Sequence, residues 1–249
     1  MSFPSHFYVY KAPDGSPQPT TTTIYYLGAL DVPPFLICKE TVSPSGHIEI
    51  TMHSTPSTGA GGIVCSANGE GYGYSCEISC IPMSEQDFGR DQRLSGDLFR
   101  RLPRKRTWGF VTLISYADSQ IAALFEWRHS RNTEVSSLRD GKRTAGDKLI
   151  RHQSGGIRNS VGRKKQRCPG QSSDGNEIVA VWTDDTQTSF RGTEEMAVGK
   201  FAFLGSAVAS REHGLDEGWK RLAVISAMYQ RRVRIQQRQD TSPRVSVPI

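Results

Sequence analysis

The most constraining feature of this chain is a run near its C-terminal end that is apolar around its whole circumference. In residues 222–229, every side chain except Ser226 is apolar. Such a helix has to be enclosed by protein or inserted into a membrane. These residues span only about 12 Å as a helix, which is too short for a bilayer. We therefore predict a helix over about 214–238 with a β-sheet wrapped around it.

The rest of the chain carries short strand-like segments separated by turn residues. In residues 47–53, Ile48, Ile50 and Met52 alternate with polar side chains, which predicts a half-buried strand. Residues 108–116 and 120–129 predict a hairpin with a short turn between them. The remaining predicted strands are 6–10, 20–27, 35–38, 177–182 and 200–204. The predicted fold class is mainly β (α+β), an antiparallel β-barrel or strongly curved sheet around one C-terminal hydrophobic helix.

Two segments interrupt this pattern. Residues 56–106 are dominated by Ser, Gly and Pro, and residues 155–175 are basic and rich in Gly. Both are predicted to be disordered or irregular insertions in a single domain over 1–240, followed by a flexible tail over 241–249. Their abrupt boundaries also raise the hypothesis that one or both come from a retained intron or a faulty gene model. An mRNA that contains both segments in frame would end that hypothesis.

Three stretches carry a resemblance to a known fold family. They are residues 7–10 (FYVY), 123–128 (ALFEWR) and 219–226 (WKRLAVIS), the last followed by Arg231 and Arg232. With these stretches the chain resembles a fungal domain family of unknown function within the tubby C-terminal-like group. The resemblance implies a closed β-barrel around a central helix. Better-known members of that group recognise phosphoinositides, but no binding residue of theirs can be matched to a position in this sequence.

Cysteine usage and targeting signals bear on location. The five cysteines are an odd number, which argues against a full disulfide framework. The N-terminal residues show no secretory signal and no apolar run is long enough to cross a bilayer. The sequence therefore predicts a cytoplasmic or nuclear protein that is not secreted and has no transmembrane segment. His53, Cys65, Cys76 and Cys80 offer the ligand types of a zinc site, but their loose spacing favours ordinary thiols, and no metal site is predicted.

Clustered positive charge is the main functional signal. The net charge is +6, and residues 139–167 hold ten Lys or Arg against two Asp. Such clusters favour polyanions, whereas a solvated loop is the simpler interpretation. The candidate anion-binding residues form two groups. They are Arg163, Lys164, Lys165 and Arg167, and Arg104, Lys105 and Arg106.

Catalytic and cofactor motifs are missing from the sequence. It contains no Gly-x-Ser-x-Gly, no His-Glu-x-x-His and no phosphate-binding Gly-x-x-x-x-Gly-Lys. The acidic pairs Asp184–Asp185 and Glu194–Glu195 are interpreted as solvated turns, and His129 as an exposed polar residue. We predict no catalytic residue and no cofactor. The predicted function is a non-catalytic binding or scaffold domain for anionic phospholipid, with phosphoinositide as the implied ligand. The alternatives are a nucleic-acid-associated protein that uses the basic loops and an enzyme with an unrecognised site.

Overall fold

The computed structural model of the chain describes thirteen stretches of residues. They are 3–12, 22–29, 33–54, 62–70, 75–80, 94–102, 107–116, 119–131, 133–139, 145–152, 170–184, 197–208 and 215–241. Within them lie twelve strands and two α-helices. No helix in these stretches is long and apolar enough to cross a membrane.

The twelve strands form one closed antiparallel barrel in which each strand pairs with its neighbours in the chain and β1 pairs with β12. The first six are β1 (His6–Lys11), β2 (Thr22–Gly28), β3 (Leu36–Val42), β4 (His47–His53), β5 (Ile63–Glu70) and β6 (Ser75–Cys80). The second six are β7 (Leu94–Leu102), β8 (Thr107–Tyr116), β9 (Ser119–Ser130), β10 (Gly146–His152), β11 (Glu177–Asp184) and β12 (Ala197–Phe203). Closure leaves no sheet edge with unpaired backbone groups.

The long helix α2 (Glu217–Thr241) lies inside the barrel. Every residue from 222 to 230 is at most 4% exposed, including Val224, Ile225 and Met228. The predicted barrel around a C-terminal hydrophobic helix is thus confirmed, with helix bounds shifted by about three residues. The helix begins where Asp216 Oδ1 accepts a hydrogen bond from the Trp219 backbone N–H (2.8 Å), an N-cap that satisfies one of the open donors of its first turn.

Two polar side chains in the enclosed part of the helix, those of Ser226 and Tyr229, form hydrogen bonds to the barrel wall. Trp127 Nε1 donates to Ser226 Oγ (2.9 Å), and that hydroxyl donates to the Ala223 carbonyl (2.8 Å). Farther along, the Tyr229 hydroxyl donates to the Glu70 carbonyl (3.1 Å). A buried hydroxyl without a partner costs about 1–3 kcal/mol, so these bonds fix the rotation of the helix in the barrel.

The helix lies closer to one side of the barrel than to the other. Its Cα atoms approach within 8 Å of those in β4, β5, β6 and β7, and the inward residues of β5 and β6 are mostly small. They include Cys65, Ala67, Gly69, Cys76 and Cys80. On the far side large aromatic rings fill the gap, and these include Phe7, Phe110, Phe125, Trp127, Trp182, Phe201 and Phe203. A Cβ on Gly69 would lie 2.6 Å from the Tyr229 hydroxyl, so this glycine permits the close approach.

The prediction of an irregular insertion over 56–106 is wrong for the described residues. Strands β5, β6 and β7 lie within it and form a quarter of the barrel wall. In β5 and β6 most inward residues are small where the helix passes close to them, so these strands have few of the large apolar side chains expected of core strands. Of 155–175, only 170–175 are described, and they form a turn in which Gly170 and Gly175 have positive φ. Strand β10 was not predicted, and residues 242–249 lie outside the described stretches.

Because consecutive strands are antiparallel, their ends alternate between two mouths. At the exit mouth, where α2 leaves the barrel, odd-numbered strands end and even-numbered strands begin; at the opposite mouth the reverse holds. A short helix α1 (Thr133–Ser136) packs outside the wall, with Val135 against Ile178 and Val181. This cover explains why both faces of β11 are buried.

Candidate functional site

The exit mouth holds the largest group of charged side chains that the structure describes. Three arginines within about one turn of α2 meet three carboxylates carried by the rim of the barrel, and we call this arrangement the collar. Arg231 Nε lies 3.8 Å from Asp184 Oδ1, Arg232 Nε lies 3.5 Å from Glu40 Oε1, and Arg234 Nη2 pairs with Asp147 Oδ2. The collar therefore joins the helix to β11, β3 and β10.

Strand alternation places these carboxylates toward the helix. Asp147 is opposite Trp182 in β11, and Trp182 is an inward core residue. Glu40 is two residues beyond inward Cys38 on β3, and the Tyr25 hydroxyl donates to Glu40 Oε2 (3.3 Å). Asp184 accepts a hydrogen bond from Trp182 Nε1 (3.0 Å). Glu40 and Asp147 are buried, whereas the side chain of Asp184 is 41% exposed.

Burial and charge act with opposite results on the two buried acids. Burial raises the pKa of Glu40 above its ordinary value, although Arg232 and Arg231 oppose that change. Burial would also raise the pKa of Asp147, but hydrogen bonds from His129 and Arg234 and the charge of Arg234 outweigh it, so its pKa is lowered. Burial, together with the charge of Glu40, raises the pKa of Tyr25 to about 12. The collar therefore holds Asp147 firmly ionised and Glu40 less so.

Substituting Glu40 with Gln tests this difference. A raised pKa in the folded state means that ionisation of Glu40 weakens folding as the pH rises through that pKa. Glu40→Gln keeps an acceptor for Tyr25 and removes the buried charge. We expect its free energy of unfolding at pH 7 to equal or exceed that of wild type by up to about 1 kcal/mol. Urea unfolding from pH 4 to pH 8 measures it; a clear loss of stability at pH 7 would contradict this account.

A second polar cluster lies on the outer face of the barrel. Glu126 Oε2 accepts hydrogen bonds from Arg128 Nη2 (2.9 Å) and His152 Nε2 (2.8 Å), and Arg128 Nη1 also pairs with Asp174 Oδ2 (2.7 Å). Asp174 in turn accepts from the Ser172 hydroxyl, and these contacts hold its pKa below the ordinary value although burial opposes them. The cluster holds the turn over 170–175 against β9.

The sequence-predicted anion-binding residues fall outside the described stretches. Arg104, Lys105 and Arg106 follow Leu102, the end of β7, and precede Thr107, the start of β8. Both of these strand ends lie at the exit mouth. Arg163, Lys164, Lys165 and Arg167 follow His152, the end of β10, and precede Gly170. His152 and the start of β11 lie at the opposite mouth.

The four candidate zinc ligands noted in the sequence do not form one site. Cys65 and Cys80 face each other across β5 and β6 with Cα atoms 4.0 Å apart, and they form a disulfide. His53 instead contacts the Thr51 hydroxyl (3.2 Å). Cys38 and Cys76 are buried thiols. Within the described stretches no three His, Cys, Asp or Glu side chains are grouped to hold a metal ion.

The sequence pattern led us to interpret Asp184 as part of a solvated turn and His129 as exposed. His129 is indeed exposed, with its Nδ1 3.6 Å from Asp147 Oδ1. Asp184 belongs to the collar, and Asp185, Glu194 and Glu195 lie outside the described stretches. Glu40 and Asp147 were missed because nothing local in the sequence relates them to residues more than 80 positions away.

Comparison with known proteins adds no relative to this description. No protein-family model, no curated protein and no solved structure matches the chain.

Proposed function

We propose that this chain is a non-catalytic binding module that recognises anionic phospholipid on the outside of its barrel. The observation that carries the proposal is the filled interior. In many barrels a ligand occupies the space that here is taken by residues 222–230 of α2, all of them buried. A ligand therefore has to be recognised by the outer wall or by the loops. A barrel closed around its own C-terminal helix also supports the proposed kinship with tubby C-terminal-like domains.

Charge favours an anionic ligand. In the collar each of the three arginines lies within 4 Å of a carboxylate, so the collar itself contributes little net charge. The excess of the chain, +6 overall, is concentrated in the two basic loop sequences. Each such basic residue close to an anionic membrane contributes about 1 kcal/mol of attraction. The cytoplasm or nucleus remains the proposed location, and the cytoplasmic leaflet supplies the anionic lipid.

Nucleic acid is the second candidate, and one surface favours it. Strands β1 and β2 carry the half-buried Tyr8 and Tyr26 on their outer side, and the ring of Tyr26 lies 5.6 Å from that of the buried Tyr10. Lys200 Nζ lies 4.9 Å from the centroid of the Tyr8 ring. Aromatic rings beside cations are the elements with which proteins bind single strands, and the basic loops alone did not supply them.

Vesicle sedimentation separates the candidates. We expect the full chain to pellet with vesicles that contain a phosphoinositide in phosphatidylcholine and to stay in solution with phosphatidylcholine alone. Raising the salt concentration weakens this binding, because exposed charges are screened. Equal binding to both vesicles, or none to either, would overturn the proposal. A salt-sensitive shift of single-stranded RNA without vesicle binding would favour the second candidate.

A further inference from the structure

The side of the barrel wall that lies close to α2 carries a disulfide on its inner face. Cys65 on β5 and Cys80 on β6 are directly opposite each other, and the bond between them joins the two strands. Both residues belong to the hydrophobic core that also contains the apolar side chains of α2. Their exposed fractions are 0% and 2%. The bond therefore lies inside the closed barrel and not on its surface.

The neighbours of the disulfide are themselves buried. Met52 on β4 pairs with Cys65 and is fully buried. Ala67 and Ile78, each two residues away from one of the cysteines on the same inner face, are also fully buried. The Cα atoms of α2 come within 8 Å of those in β4, β5 and β6. The helix therefore covers the part of the wall in which the bond lies.

Reduction of a disulfide requires access to one of its sulfur atoms. A glutathione thiolate attacks one sulfur, forms a mixed disulfide with it and releases the other cysteine as a thiolate. A second glutathione thiolate attacks the mixed disulfide, and the two released cysteine thiolates take protons from water. The products are two protein thiols and one glutathione disulfide. Because Cys65 and Cys80 are both buried, this exchange has to wait until the barrel opens, and so does its reverse.

We propose that the enclosed helix makes the Cys65–Cys80 pair a redox lock, meaning that the pair exchanges with glutathione only while α2 is outside the barrel. A chain that folds with the bond keeps it in reducing surroundings, where an accessible disulfide is lost. A chain that folds without the bond keeps two thiols in oxidising surroundings. The protein therefore has two long-lived forms, set by the conditions under which it folds. This inference is independent of the proposed function.

The rate of thiol exchange in the oxidised full chain tests the lock. After folding in a glutathione redox buffer, alkylation in urea without reductant is expected to label neither Cys65 nor Cys80, as read by peptide mass spectrometry. We expect reduced glutathione to break the bond at least about a thousandfold more slowly in native buffer than in urea, because the open state is rare in a stable domain. Labelling of both cysteines after folding, or equal rates in the two buffers, overturns the inference.

A matched pair of variants shows whether α2 is the barrier. Ile225→Val removes one buried methyl group from the enclosed part of the helix, and we expect native reduction to become about two- to tenfold faster. Gln239→Ala changes the exposed end of the same helix and should leave the rate unchanged. If Ile225→Val lowers Tm while its bond is reduced as slowly as in wild type, exchange does not depend on the helix and the inference is wrong.

The two forms should also differ in stability. The cysteines are separated by 15 positions, and a crosslink over such a loop should raise Tm by about 6–12 °C relative to the reduced form. We expect the reduced, folded chain to keep its lower Tm after incubation with glutathione disulfide in native buffer. A rise to the oxidised value without prior unfolding overturns the lock. In the control, Cys65→Ala with Cys80→Ala, Tm should not respond to glutathione disulfide even when the chain is refolded in its presence.

Discussion

Replacing Ile225 with Asp is expected to abolish cooperative folding. Ile225 is fully buried at the middle of the enclosed part of α2, so an aspartate there is shut off from water. An uncompensated buried charge costs at least about 4 kcal/mol, and a domain of this size has about 5–15 kcal/mol in total. The measurement is thermal unfolding followed by circular dichroism, together with gel filtration to detect aggregation.

Two further variants make this result specific to burial. Ile225→Val removes one methyl group and should cost only about 0.5–1.5 kcal/mol, which lowers Tm by a few degrees. Gln239→Asp introduces the same acid into the exposed end of the same helix, where we expect a change below about 1 kcal/mol. If Ile225→Asp melted within a few degrees of wild type, the helix would not be enclosed and the described architecture would be wrong.

The second large effect is expected from Asp147→Asn in the collar. The side chain of Asp147 is 7% exposed, and its partner Arg234 is 25% exposed. Removing the carboxylate charge leaves the guanidinium without its counterion, at a cost of about 2–3 kcal/mol, less than for a completely buried pair. Asp184→Asn is the matched control, because the side chain of Asp184 is 41% exposed and lies 3.8 Å from Arg231. Loss of its charge should cost at most about 1 kcal/mol.

The dependence on pH distinguishes the ion pair from a packing defect. The pKa of Asp147 is lower in the folded than in the unfolded state, so its stabilising effect is complete above the ordinary value of about 4 and is lost as the pH falls through the folded pKa. We therefore expect wild type and Asp147→Asn to differ fully at pH 6 and to converge in acid. A difference that stays constant down to pH 2 would show that charge is not the cause.

The parts of the fold that could be predicted from the sequence are those with strong local patterns. Residues 222–229 are apolar all round, and 47–53 and the β8–β9 hairpin alternate with large apolar side chains. Strands β5 to β7 gave no such signal. In β5 and β6 most inward residues are small, such as Ala67 and Gly69, because the helix passes close to them. In a sequence, small residues such as these are interpreted as turn residues. Only the position of the neighbouring helix shows that they face the core.

The collar and the exposed side chains of Val111 and Leu113 could not be predicted for a related reason. Arg231, Arg232 and Arg234 were visible as a basic helix end, but their partners lie on β3, β10 and β11, and only the closed barrel brings them together. In the sequence, Val111 and Leu113 look like ordinary strand residues. When both faces of a strand are apolar, the sequence does not show which face meets water. In both cases the missing information is three-dimensional.

The position of α2 in the chain has a consequence for biosynthesis. The segment that fills the centre of the barrel follows all twelve strands, so a ribosome releases the wall before it releases what the wall encloses. Until about residue 230 has left the exit tunnel, the aromatic rings on the inner side have no helix to cover them. A nascent chain at that stage has exposed apolar surface and no complete core, which makes it a natural client for chaperones that hold unfinished chains.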